Sequence, residues 1–214
     1  LLTAEDADSR RDAAAWAERL FSRTWEVVRC ALYMNRCVFN DSSTFPVGLR
    51  HAFWLAEEKN SLSDWDPSAA AALAPTEENV RRILAEKHEA VAILDDIAPA
   101  LLDPPPGLAA AALADLRVRF DIFRRYVRGF RAVGSGCILA RYLTEAPERS
   151  GPFRSEAAAL FAAEQAELLA LAAEFEAFAA ATDHRYPVYV LLGAERLRTL
   201  HADLARAVDG CGAP

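Results

Sequence analysis

Between Leu113 and Val133 the chain reads LADLRVRFDIFRRYVRGFRAV, and its large apolar residues fall at Leu113, Leu116, Phe120, Phe123, Val127 and Phe130. The steps between them are three, four, three, four, three. Only a helix gathers positions so spaced onto one side. Between them lie Arg117, Arg119, Asp121, Arg124, Arg125, Arg128 and Arg131, so the remaining faces are polar. A long helix with such a seam must be covered by other helices. The chain is therefore constrained to a helical fold before any other segment is considered.

The other segments supply the cover. Residues 5–38 read as one long helix or two in line, with Ala13, Trp16, Leu20, Thr24, Val27, Ala31 and Met34 on one stripe. A second stripe of Phe21, Trp25, Val28, Leu32 and Phe39 widens it, which implies neighbours on two sides. The run NDSSTFP at 40–46 is a turn, a short helix follows at 47–60, and SLSDWDPS forms another loop. Thr76, with Glu77 and Glu78 behind it, opens a helix over 76–98. Its seam holds Val80, Ile83 or Leu84, Val91, Leu94 and Ile97. Lys87 interrupts it, and a snorkelling stem is expected to carry that charge outward. Pro99 and then DPPPG at 103–107 are expected to stop that helix. The central helix spans 108–143, where Gly134-Ser135-Gly136 implies a kink or a very close neighbour. Helices at 155–181 and 186–208 complete the set. The first carries Phe161, Glu164, Leu168, Leu171, Phe175 and Phe178 inward, the second Val190, Leu197, Leu200 and Leu204. The expectation is one all-α domain, an antiparallel bundle of about six helices joined by Pro-rich turns.

Charge and composition exclude several functions. The net charge is −7 and no basic block occurs, which argues against nucleic-acid binding. No apolar run approaches the roughly 18 residues that span a bilayer. The opening LLTAEDADSRRD has no basic stretch followed by an apolar one, so no signal peptide is visible and a soluble protein is expected. It begins with Leu rather than Met, as a trimmed piece of a longer polypeptide would, and a missing segment would be the place for targeting or catalytic residues.

The chemistry-bearing patterns are sparse. None of the four histidines, His51, His88, His184 and His201, follows a Glu by three residues, so the di-iron motif of helical bundles is missing and no metal site is expected. Asp95-Asp96 begins like a diphosphate-binding acidic cluster but runs into Ile97-Ala98-Pro99. No Walker loop, dinucleotide fingerprint or nucleophile elbow occurs, and no cofactor is implied. Cys30, Cys37, Cys137 and Cys211 form no C-x-x-C pair and read as buried small apolar residues. Two features remain as candidates. Asn40, Asp41, Phe45, Trp54 and Trp65 lie in or beside the two early loops and either pack together or line a groove. Arg117, Arg124, Arg128 and Arg131 form a basic face on the central helix. That face either pairs with neighbouring glutamates, since 31 acids stand against 24 bases, or docks on an acidic domain.

Four segments carry a family resemblance: DAAAWAERLFSRTWEVVRCALYMNRCVF, ENVRRILAEKHEAVAILDDI, LRVRFDIFRRYVRGFRAVGSGCILARYL and YPVYVLLGAERLRTLHADLARAV. Together they resemble the helical region that follows the catalytic barrel in large bacterial glycoside hydrolases of the β-hexosaminidase and α-glucuronidase type. The resemblance rests on Trp16-Ala17, on Glu86-Lys87-His88-Glu89-Ala90 and on Arg196-Leu197. It implies a non-catalytic accessory domain that buttresses a barrel of the same or a longer polypeptide, with carbohydrate as the ligand of the whole. The family's catalytic carboxylates lie in the barrel and have no counterpart here. The alternatives are a free-standing helical enzyme dependent on a metal or a diphosphate, with its pocket between helices, and a helical protein–protein interaction module.

Overall fold

The computed structural model describes residues 6–28, 74–146, 151–182 and 193–210, with side chains given for 6–23 of the first stretch. All the regular structure among the described residues is helical, in five elements: α1 (Ala7–Val28), α2 (Glu77–Leu102), α3 (Ala110–Glu145), α4 (Phe153–Ala181) and α5 (Ala194–Gly210). The all-helical class read from the sequence is observed. The expected helix at 47–60, and the parts of two others at 29–38 and 186–192, lie outside the described residues.

Side-chain contacts set the directions. Trp16 reaches Ala100 and Arg23 reaches Asp96, so α1 and α2 run antiparallel. Arg117 meets Leu101 and Arg124 meets Asp95, which makes α2 and α3 an antiparallel hairpin. Arg128 meets Glu174 while Tyr142 packs on Phe153, so α4 runs back along α3. α5 returns along α4 through Arg198 and Glu176 and also lies on α3.

Thr76 caps α2 from extended backbone at φ −103°, ψ 153°, and its hydroxyl oxygen accepts the Asn79 N–H at 3.3 Å. Glu77 and Glu78 then sit where the helix dipole favours a negative charge. The helix does not stop at Pro99, as the sequence led us to expect, but continues to Leu102. Proline removes one backbone bond, and the last turn is compensated from outside the helix. The Trp16 indole donates to the Ala100 carbonyl at 2.9 Å, and Arg117 donates to the Leu101 and Leu102 carbonyls at 2.8 and 3.4 Å. These are terminal carbonyls that no helical N–H can reach. The chain then turns through Pro104, Pro105 and Pro106 to Gly107, whose φ of 86° suits a residue without Cβ.

Cover over α3 is uneven. Leu113, Leu116, Phe120 and Phe123 are half-buried, whereas every residue from Ala132 to Leu143 is buried. That second half is enclosed on all sides by Val80, Ile83 and Leu84 of α2, Phe161, Leu168 and Leu171 of α4, and Leu197, Leu200 and Leu204 of α5. A smaller cluster of Ala90, Ile93, Leu94, Ile97 and Val127 lies towards the other end, with Leu20, Phe120 and Phe123 against it.

Gly134-Ser135-Gly136 lies within an unbroken helix and marks a close neighbour: a Cβ on Gly136 would meet Leu204 Cδ1 at 3.2 Å. Two other expectations are corrected. Lys87 is fully enclosed at 0% exposure, so its charge does not reach solvent. The seam position between Ile83 and Leu94 is covered too completely for its stem to climb out, and the side chain is engaged within the protein. Phe21, the first member of the second stripe on α1, is 74% exposed, so none of the described helices covers it there.

The close approach of α5 gives a test. Gly136→Leu forces the α3–α5 contact apart and should lower stability by about 2 kcal/mol, as overpacking does. Gly136→Ala asks only the end of Leu204 to shift and gains helix propensity, so it should stay within about 1 kcal/mol of the parent. Chemical denaturation of the two variants measures the difference.

Candidate interaction surface on the third helix

The arginines of the central helix follow from its period. Positions 117, 124, 128 and 131 lie beside the apolar seam, so their guanidinium groups emerge where α3 meets α2 on one flank and α4 on the other. Arg124 donates to Asp95 of α2 at 2.9 Å. Arg128 Nε donates to Glu167 at 2.9 Å, and its two terminal nitrogens donate to Glu174 at 2.8 and 2.9 Å. Arg131 pairs with both Glu164 and Glu167, at 3.3 and 3.2 Å. Arg125, from the same row, bonds to Asp121 and pairs with Glu174 at 3.4 Å. Of the two readings of this face, the structure places Arg124, Arg128 and Arg131 in pairs with neighbouring acids. Arg117 differs: among the described residues its partners are backbone carbonyls of α2.

Burial disfavours the charge on Arg128, but the bonds to Glu174 and Glu167 outweigh it and raise its pKa above the ordinary arginine value. The Arg128 bond in turn holds Glu174 below the usual carboxylate range, against a smaller opposing effect of burial. The fork of a guanidinium on a carboxylate fixes distance and angle together. Arg128 therefore acts as a register pin between α3 and α4. Arg81 makes the same two-pronged contact with Glu156, at 3.0 and 2.9 Å, tying α2 to α4 and lowering the Glu156 pKa.

Glu164, the acid on the α4 seam, is buried where three helices meet. His88 Nε2 of α2 and Arg131 of α3 both stand 3.3 Å from its oxygens. The Arg131 contact is an ion pair without hydrogen-bond geometry, so among the described residues Oε2 of Glu164 receives no donor. This junction was not read from the sequence. Glu164 and His88 were each visible, but only the α2–α3–α4 packing brings them together.

The remaining candidates separate as follows. Asp95 and Asp96, the acidic pair considered for diphosphate binding, face Arg124 and Arg23 respectively. Cys137 is buried, and burial pushes its thiol pKa well up, so it stays protonated and inert. Among the described residues no three His, Cys, Asp or Glu side chains gather as metal ligands would. No described helix is long and apolar enough to cross a membrane. Asn40, Asp41, Phe45, Trp54 and Trp65 lie outside the described residues.

The depressed carboxylates predict the acid side of the stability curve. A group whose folded pKa lies below its unfolded value stabilises the fold above that unfolded value and ceases to do so as pH falls through the folded one. Stability should therefore hold from neutrality down to the ordinary glutamate value of 4.5 and fall below it as Glu174 protonates. Glu174→Gln should cost about 1 kcal/mol at pH 7 and flatten that acid limb. Thermal unfolding of both proteins at a series of pH values would measure it. Comparison of the chain with known protein families, with curated proteins and with solved structures finds no match.

Proposed function

We propose that this chain is a non-catalytic helical domain that packs against the catalytic barrel of a carbohydrate-active enzyme and buttresses it. The observation that carries this reading is the use of the ionisable side chains on α3. Arg124, Arg125, Arg128 and Arg131 are held by acids of the same chain, and so build a stiff, register-fixed block. A catalytic site keeps a poised acid, base or nucleophile facing a cavity. Among the described residues the buried thiol is protonated, and the buried carboxylate of Glu164 lies between the His88 imidazole and the Arg131 guanidinium. Rigidity of that kind suits a support. The glycoside hydrolase barrel as the supported partner comes from the resemblance of the four helical segments. The count of six helices, and the reach of loops 40–46 and 60–67 towards the barrel, belong to the same proposal.

The test is direct. The purified 214-residue chain, given aryl β-N-acetylhexosaminides and aryl α-glucuronides, should release no aryl alcohol above the buffer rate. A barrel domain encoded with it should copurify with it when the two are expressed together. Turnover by the isolated chain would overturn the reading, as would a co-expressed barrel that elutes entirely apart from it.

A further inference from the structure

We draw no further inference here: the strongest candidate, the side-chain cluster of Glu164, His88 and Arg131 where α2, α3 and α4 meet, with Glu164 Oε2 receiving no donor among the described residues, belongs to the ion-pair surface already described, and no set of metal-ligating side chains gathers there among the described residues to point to a ligand.

Discussion

The enclosure of α3 from Ala132 to Leu143 is the constraint on which the other helices depend. A helix buried on every side has no polar face to offer solvent, so each flank must be met by a neighbour of matching shape. α2 answers with Val80, Ile83 and Leu84, α4 with Phe161, Leu168 and Leu171, and α5 with Leu197, Leu200 and Leu204, each at helical spacing. The approach of α5 is possible because position 136 lacks a Cβ. The small residues here, Ala132, Gly134, Ser135, Gly136 and Ala140, thin the helix where three partners crowd it. Apolar area of this kind drives association without choosing a register, because a leucine seam slides by a turn at modest cost.

Register is chosen by the charges. Arg128 bridges two acids that lie seven residues apart on α4, Glu167 and Glu174, so a shift by one turn would break at least one of its contacts. Arg81 with Glu156, and Glu164 between His88 and Arg131, add pins at two other levels of the stack. Partly exposed pairs of this sort contribute little to stability one at a time. Their weight lies in penalising the alternatives, because a slipped arrangement would bury Glu164 or Glu167 with no cation beside it.

Much of this was legible in the residues. Inward positions of α4, namely Phe161, Glu164, Leu168, Leu171, Phe175 and Phe178, are all buried, and Leu197, Leu200 and Leu204 of α5 likewise. Periodicity reveals these because packing repeats with the helix. The sequence misled where a tertiary contact outweighed a local preference. Pro99 failed to end α2 because Trp16 and Arg117, distant in sequence, hold the turn beyond it. Lys87 failed to reach water because whether a stem can climb out depends on neighbours that the pattern of one helix does not contain. The candidate arginines were readable as a face, and their pairing with acids was one of two open readings. Which of them meets only carbonyls among the described residues depends on the hairpin geometry that brings Arg117 to the end of α2.

That geometry also separates the two ends of the central helix in kind. At the enclosed end, the seam meets three partners and its polar neighbours Arg128 and Arg131 meet acids. At the other, the same seam continues through Leu113, Leu116, Phe120 and Phe123 with only partial cover, and the adjoining cation faces carbonyls. A sequence that maintains three-four spacing over both halves maintains it for contact, since exposed apolar residues in register give nothing to a helix in water. Among the described residues the half-covered stretch is held by fewer neighbours, and Arg117 closes the α2–α3 hairpin there by capping the last carbonyls of α2.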